Sequence, residues 1–257
     1  MTDDKLNPSS PEPTPTASFG YREVAASAKS HMVRELFDSV AKRYDLMNDL
    51  MSVGVHRLWK AAFVDKLAPK PGLKLLDLAG GTGDIAFRVL ERTPSAEVTI
   101  ADLTFGMLSV GRDRALDKGL LELDLVCANA ESLPLPDRSF DAVTIAFGLR
   151  NVTHIDKALS EARRVLRPGG RFLCLEFSRV AIPALERLYD VYSFEVLPRL
   201  GDWVAKDRDA YVYLAESIRR FPPQEELIER MKQAGFGMTR YSNLSGGIAA
   251  IHSGWRL

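Results

Sequence analysis

The stretch that decides the fold runs Leu75-Leu76-Asp77-Leu78-Ala79-Gly80-Gly81-Thr82-Gly83-Asp84. Its first half is an apolar strand, and its second half is a tight glycine turn that leads into a helix. The next apolar run ends at Asp102, about 20 residues on, the spacing at which an acidic side chain can reach a ribose hydroxyl. The stretch therefore predicts an adenosine-containing cofactor lying across the carboxyl edge of a parallel sheet.

The acid ahead of the glycine turn argues against a dinucleotide. The turn lacks the G-x-G-x-x-G pattern that places a pyrophosphate at a helix N-terminus. Asp77 precedes the turn instead, and a carboxylate there favours a cation. S-adenosylmethionine (SAM) carries an ammonium and a sulfonium and no phosphate. The loop thus resembles motif I of class I SAM-dependent methyltransferases, with Ala79 at the first glycine of the usual D-x-G-x-G-x-G pattern. An ordinary strand-to-helix turn is the structural alternative.

Length and composition limit the size of the fold and the kinds of molecule that the protein is expected to bind. The 257 residues are enough for one domain with a large core. A formal net charge of +0 disfavours a nucleic-acid partner, which usually selects a basic excess. Cys127 and Cys174, the only cysteines, lie in apolar runs and are expected to be buried thiols, so no metal site or disulfide is expected. No apolar run approaches the ~18–20 residues that span a bilayer.

Residues 1–20 differ in composition from the rest of the chain. They are rich in proline, serine, threonine and acidic residues, which predicts a disordered leader. They lack the apolar core of a secretion signal, and they are acidic where a transit peptide is basic. We therefore expect a cytoplasmic protein whose residues 21–257 form a single domain.

Strands and helices alternate with short connections between residues 74 and 177, as in a doubly wound α/β sheet. The expected strands are 74–78, 97–101, 123–128, 140–147 and 171–177, and the expected helices are 84–91, 104–118 and 156–166. Helical periodicity also predicts an N-terminal helical cap at about 31–68 and an aromatic-rich helical insertion at about 184–220. A helix at 225–234 and a terminal antiparallel hairpin, 236–244 with 247–253, complete the expected fold.

Three further blocks point to a family. The first runs from Tyr44 to Trp59 as Y-D-L-M-N-D-L-M-S-V-G-V-H-R-L-W, and the second runs from Ala146 to Val152 as A-F-G-L-R-N-V. The third is R-V-L-R-P-G-G, which ends at Gly170 and is followed by L-E-F-S. Together they closely resemble the quinone-pathway C-methyltransferases, the UbiE/MenG family, over nearly everything after the leader. The P-G-G block is common to many methyltransferases, whereas the first block is long and specific.

The resemblance implies a Rossmann-like, mostly parallel seven-stranded sheet and a defined reaction. SAM is the implied methyl donor, and the acceptor is a ring carbon of a polyprenylated hydroquinone. That acceptor is demethylmenaquinol, 2-methoxy-6-polyprenyl-1,4-benzoquinol, or both. The aromatic insertion is a candidate groove for the prenyl tail, and a lipid substrate suggests peripheral membrane contact. Another small-molecule acceptor or a non-catalytic SAM-binding subunit are the alternatives, while the missing G-x-G-x-x-G disfavours a nicotinamide oxidoreductase.

The resemblance also implies cofactor-binding residues, each with a structural alternative. Thr82, beside Gly81, is expected to meet the methionyl carboxylate of SAM, although threonine is also a good helix N-cap. Asp102 is expected to accept the ribose hydroxyls, or else to cap the following helix. Asn129 and Ala130 are expected at the adenine, although Asn129 also suits a plain turn.

The candidate catalytic residues follow the fourth strand of the sheet. Loss of a phenolic proton pushes charge onto the ortho carbon, so a base or a stabilising cation should lower the barrier. Arg150 and Asn151 are expected to bind the quinol, with Arg150 as a cation for the phenolate oxygen or, alternatively, in a salt bridge that closes the loop. His56 is a candidate base or a structural hydrogen-bonding residue. Ala146 stands where the family often has serine and receives no side-chain role.

Overall fold

The computed structural model describes residues 15–41, 48–49, 52, 54–120, 123–181, 189, 192, 195 and 208–257. The strands are β1 (Thr16–Phe19), β2 (Arg22–Ala25), β3 (Lys74–Leu78), β4 (Glu97–Asp102), β5 (Asp124–Cys127), β6 (Phe140–Ala146), β7 (Leu166–Phe177), β8 (Gly237–Leu244) and β9 (Ala249–Trp255). The helices are α1 (Ala26–Val40), α2 (His56–Leu67), α3 (Asp84–Arg92), α4 (Phe105–Asp117), α5 (Ile155–Val165), α6 (Arg208–Arg220) and α7 (Gln224–Gln233).

The main sheet has seven strands in the order β5-β4-β3-β6-β7-β9-β8. Neighbouring strands from β5 to β7 pair in parallel, and β9 runs antiparallel to both β7 and β8. This is the predicted fold, including its terminal antiparallel hairpin. One boundary differs: β7 begins at Leu166 rather than at the expected residue 171, and its register with β6 shifts between Phe140 and Ala142.

The central strands are buried on both faces, as the near-continuous apolar runs predict. Leu75, Leu76 and Leu78 of β3 and Val143 and Ile145 of β6 are almost fully inaccessible. Side chains from α1, α2, α3 and α6 pack in one apolar cluster, and side chains from α5 and α7 pack in another. The glycine turn therefore follows a deeply buried strand. The fixed position of that strand determines where the residues of the turn lie.

The N-terminal boundary of the fold lies earlier than expected. Residues 16–19 form β1 and pair with β2, so the leader predicted to extend through residue 20 is too long at its C-terminal end. Helix α1 begins at Ala26, directly after β2, rather than near residue 31. Within the expected insertion, α6 confirms a helix over its last 13 residues, whereas most of 184–207 lies outside the described residues.

One of the two cysteine expectations is wrong. Cys174 is buried, but Cys127 is exposed. Cys127 ends β5, which is the edge strand of the sheet, so its apolar sequence neighbours do not cover it. Across the described ranges, every helix is too short or too polar to span a membrane.

Candidate cofactor and acceptor site

A cavity of about 970 Å³, partly open to solvent, lies at the carboxyl ends of β3, β4 and β6. It lies beside the point where the chain leaves β3 for one half of the sheet and returns on the other side as β6, the usual ligand position in doubly wound sheets. All five residues predicted to bind the cofactor line it, namely Gly81, Thr82, Asp102, Asn129 and Ala130.

Asp77 brings a carboxyl group to the wall of this cavity. Its side chain is only 1% exposed, and the Thr144 hydroxyl donates a hydrogen bond of 2.8 Å to Oδ1. The other oxygen, Oδ2, has no hydrogen-bond partner among the described residues. Burial raises the pKa of this carboxyl to about 7. A buried carboxylate with one free oxygen is an incomplete site that an ammonium group would complete.

The glycine turn brings its backbone close to the cavity. Ala79, Gly81 and Gly83 all have positive φ, and Gly83 is the residue that caps the N-terminus of α3. Thr82 is therefore not the helix cap, and its hydroxyl accepts a hydrogen bond of 3.0 Å from Arg114. A methyl group on Gly80 would lie 2.9 Å from Asp77 Oδ2, so the turn can pack this closely on the carboxyl only because residue 80 has no side chain.

Asp102 holds the turn and the next helix together. Its Oδ2 accepts the Gly81 amide at 2.9 Å, and its Oδ1 accepts the amide of Thr104, the N-cap residue of α4, at 2.8 Å. Burial raises its pKa to about 6, although these amides oppose the shift. The cap of α4 is therefore Thr104 rather than Asp102. Each carboxylate oxygen of Asp102 has a further lone pair, so these two backbone contacts are compatible with a role as ribose acceptor.

Asn129 likewise has a structural bond and a place in the cavity wall. Its Oδ1 accepts the Glu131 amide at 2.9 Å, which makes the plain turn that was the structural alternative. Its side-chain nitrogen is left for a ligand, because one oxygen is enough to form that turn.

The structure separates Arg150 from Asn151. Both lie in the short 3-10 helix Leu149–Asn151, and Asn151 lines the cofactor cavity, where its Oδ1 accepts the Tyr213 hydroxyl at 3.0 Å. Arg150 instead lines a second cavity, of about 890 Å³, between the β1-β2 hairpin and α6. The loop residues 152 and 153 line both cavities.

The salt bridge that was the structural alternative for Arg150 is present. Its side chain is 1% exposed, and Nη1 donates to Glu176 Oε1 at 2.9 Å and to the carbonyl oxygen of Phe147. The remaining nitrogens, Nε and Nη2, are buried and have no hydrogen-bond partner within the described part of the chain. Arg150 is thus anchored on one side and has unused donors on the other.

His56 lies outside both cavities in the described structure. It is 3% exposed, and its Nε2 lies 2.8 Å from Asp49 Oδ1. Burial lowers its pKa, with Asp49 opposing the shift. This is the structural hydrogen bond rather than the position of a base. Residues 44 and 45, also in the first family block, lie outside the described residues.

Several cavity residues carry no individual sequence signal. Ser30, Val33 and Phe37 of α1 cover the cavity, and only the tertiary packing of α1 brings them there. Lys60 of α2 also lines it, with Nζ 2.7 Å from Asp84 Oδ2. Lys60 directly follows the first family block, which ends at Trp59. Its position next to that block is the sequence feature that could have marked it as a cavity residue.

Comparison with known proteins identifies the family of the chain. The model of the ubiE/COQ5 methyltransferase family matches residues 25–256. A ubiquinone/menaquinone biosynthesis C-methyltransferase UbiE of Brucella abortus (strain S19) is 57% identical over 244 residues, covering 93% of this chain and 91% of the relative. The Brucella anthropi protein of the same name is 56% identical, covering 93% of each chain.

Solved structures agree at the level of the fold. A SAM-dependent methyltransferase of Thermotoga maritima, a possible histamine N-methyltransferase, superposes with a TM-score of 0.63 at 21% identity, covering 87% of this chain and 99% of that one. Phosphoethanolamine N-methyltransferase 2 of Haemonchus contortus, solved with S-adenosylhomocysteine, gives 0.61 at 16% identity, with 87% and 60% covered. From the family match and the identity over most of its length, the chain belongs to the ubiE/COQ5 methyltransferase family.

Proposed function

We propose that this protein transfers the methyl group of SAM to a ring carbon of a polyprenylated hydroquinone, in ubiquinone biosynthesis, menaquinone biosynthesis or both. The observation that carries the proposal is the 57% identity, over 93% of the chain, to a C-methyltransferase of those pathways. The cavity at the carboxyl edge of the sheet supports it, because its charged and polar groups match those of SAM.

The residues present fit the methyl donor. Oδ2 of Asp77, which has no hydrogen-bond partner among the described residues, suits the methionyl ammonium. The Thr82 hydroxyl accepts from Arg114 and keeps its own proton to donate to the methionyl carboxylate. Gly81 lines the same part of the cavity, but its amide already donates to Asp102. Asp102 suits the ribose hydroxyls, and Asn129 with Ala130 suits the adenine. When bound, SAM supplies an electrophilic methyl group on a cationic sulfur. Asp77 and Asp102 orient the donor, so that the transfer becomes a reaction between groups already held in line.

The acceptor needs help from the protein, because a neutral phenol ring is a weak carbon nucleophile. Asn151 lines the same cavity as the cofactor residues and can donate from its amide to the ring oxygen. The free Nε and Nη2 of Arg150 can hold the same oxygen as a phenolate when the ring reaches the loop shared by the two cavities. Arginine remains protonated and therefore acts here as a stabilising cation.

We also propose that the protein contacts a membrane surface peripherally, since a polyprenyl tail partitions into lipid. Leu58 on α2 and Phe105 at the start of α4 are 70% and 69% exposed, and both helices also contribute cavity residues. Flotation with liposomes tests this contact. Leu58→Ser/Phe105→Ser should float less than the parent protein, and equal flotation of the two would contradict the assigned surface.

The experiment that tests the reaction is anaerobic methyl transfer from isotope-labelled SAM. Reduced demethylmenaquinol and reduced 2-methoxy-6-polyprenyl-1,4-benzoquinol are offered separately, with Asp102→Ala as the control variant. Label in a ring carbon of either quinol, lost in the variant, supports the proposal and identifies the pathway. SAM binding without label in either quinol would instead indicate another methyl acceptor or a non-catalytic SAM-binding subunit.

A further inference from the structure

Tyr213 connects α6 to the cofactor cavity. It is buried, and its hydroxyl donates a hydrogen bond of 3.0 Å to Oδ1 of Asn151. Its ring stacks on Phe19 of β1, with centroids 4.2 Å apart and planes inclined by 27°. Tyr213 lines the second cavity while Asn151 lines the first. The hydrogen bond thus joins a residue of the cofactor cavity to a stacked aromatic pair, of which Tyr213 is buried and Phe19 is half-buried.

In the structure, this bond leaves the amine end of the Asn151 amide available. An asparagine side chain carries one acceptor and two donors, and its amide can rotate between two orientations. Because Tyr213 occupies Oδ1, the remaining group is the Nδ2 amine. Burial raises the pKa of Tyr213 to about 12, although Arg150 opposes the shift. The hydroxyl therefore stays protonated at any pH at which the enzyme would work, so it can keep donating to Oδ1 of Asn151.

The direction of the amide matters for a phenolic acceptor. Negative charge grows on the ring oxygen as its proton is lost, so a donor facing that oxygen stabilises the reacting state, whereas an amide oxygen there would repel it. Without a fixed partner, Asn151 would divide its population between the two orientations. A bond that holds Oδ1 away from the acceptor therefore aids the reaction without contacting the substrate.

We propose that Tyr213 is a positioning residue for methyl transfer, which holds the oxygen of Asn151 so that the Asn151 amine faces the ring oxygen of the acceptor. This inference rests on the proposed function, because it assigns the partner of Asn151 in that same reaction. Phe19 extends the same arrangement, since its ring stacks on the tyrosine ring and helps to hold it.

Tyr213→Phe tests the role, because it removes the hydroxyl and keeps the ring that stacks on Phe19. We expect kcat for the quinol to fall by about tenfold to a hundredfold, below the loss for a full oxyanion donor, with the dissociation constant for SAM unchanged. Tyr241→Phe is the matched control, because Tyr241 donates to Glu225 on the exposed surface, and we expect it to keep parental turnover.

The variant Asn151→Asp distinguishes a positioning role of Tyr213 from a role in structural support alone. Aspartate still accepts the Tyr213 hydroxyl but offers a negative oxygen in place of the amine, so we expect turnover to fall further than in Asn151→Ala, with little loss of thermal stability. In the Asn151→Ala background, Tyr213→Phe should have no further effect on kcat, because the two residues act as a unit.

The outcomes are distinguishable. If the parent enzyme methylates the quinol, three results would overturn the positioning role and leave the proposed reaction intact. They are a parental kcat in Tyr213→Phe, additive losses in the double variant, and an active Asn151→Asp. Absence of quinol methylation by the parent enzyme, with SAM bound, would overturn both the proposed function and this inference.

Discussion

At the scale of single residues, the carboxyl group of Asp77 is subject to opposing demands from burial and from the cofactor. Burial favours its neutral form and raises its pKa to about 7, whereas a bound ammonium favours the carboxylate. Burial raises the pKa of Asp102 to about 6, so Asp102 loses its proton at a lower pH than Asp77 does. Cofactor binding should therefore release protons in weakly acidic solution.

The first prediction concerns the pH dependence of SAM affinity. Affinity of the parent protein should fall as the pH is lowered from about 8 to about 5.5, first as Asp77 and then as Asp102 becomes protonated. Asp77→Asn should bind about tenfold or more weakly near pH 8, as expected for a lost charged partner, and its decline should begin only near pH 6. Titration calorimetry measures both, and a parallel pH dependence in the two proteins would contradict the assignment.

The second prediction concerns the buried pair of Arg150 and Glu176. Arg150→Met leaves the Glu176 carboxylate buried without its cation and should cost about 3–5 kcal/mol of unfolding free energy. Adding Glu176→Gln should recover most of that loss, because no charge then remains. Urea unfolding measures the stabilities. If the restored double variant methylates quinol at the parental rate, Arg150 has only a structural role.

The third prediction concerns Ala146, which lines the cofactor cavity where the family often has serine. Ala146→Ser adds a hydroxyl at the cofactor, and one hydrogen bond is worth about 0.5–1.5 kcal/mol. We expect SAM to bind about twofold to tenfold more tightly. Ala146→Val is the steric control and should weaken binding, and a serine variant that also binds more weakly would show that no hydroxyl contact is available there.

At the scale of elements, the β1-β2 hairpin ties the N-terminus to α6. Gly20 has a φ of +61°, and a methyl group there would lie 2.2 Å from Oε2 of Glu216, the oxygen that accepts the Tyr21 amide. Gly72, with a φ of +75°, has nothing within 4 Å of such a methyl group. A side chain at either glycine would be strained by the positive φ. Only at Gly20 would it also clash with Glu216.

The fourth prediction compares alanine at these two glycines. Both variants should be destabilised by about 1 kcal/mol through the positive φ, and Gly20→Ala should lose roughly 1 kcal/mol more because Glu216 must give up its hydrogen bond. Thermal unfolding gives the comparison. Equal melting temperatures for the two variants would show that the hairpin does not depend on the contact with α6.

At the scale of the whole molecule, the cofactor site lowers the stability of the protein that surrounds it. The pKa of Asp77 in the folded protein is about 7, against the ordinary aspartate value of 3.8, so the folded state binds the proton more tightly than the unfolded chain. Stability therefore falls as the pH rises through this window, and the full cost is present above about pH 7. Asp84, held at a pKa of about 2 because Lys60 and Arg88 outweigh its burial, has the opposite effect.

The fifth prediction follows from that sign. Without SAM, Asp77→Asn should be more stable than the parent near pH 8 by about 1–4 kcal/mol, at about 1.36 kcal/mol per pH unit, and the difference should shrink towards pH 4. Asp84→Asn should be less stable than the parent at the same high pH. Urea unfolding at several pH values measures both, and a loss of stability in Asp77→Asn near pH 8 would contradict the assignment.

The sequence by itself determined the sheet, the glycine turn and the five residues predicted to bind the cofactor, all of which line the cavity. These depend on local patterns, because apolar runs make buried strands, and residues at the carboxyl ends of parallel strands meet at one edge. The hairpin at 16–25 and the exposure of Cys127 escaped prediction, because pairing and edge position are properties of the assembled sheet.

Only the tertiary structure decided what Arg150, Asn151 and His56 contact. Adjacent residues in a tight turn point in different directions, so the sequence could not show that Arg150 and Asn151 line different cavities. Their partners lie far along the chain, with Glu176 26 residues from Arg150 and Tyr213 62 residues from Asn151. Burial then sets which groups are charged, and burial exists only once distant elements have packed together.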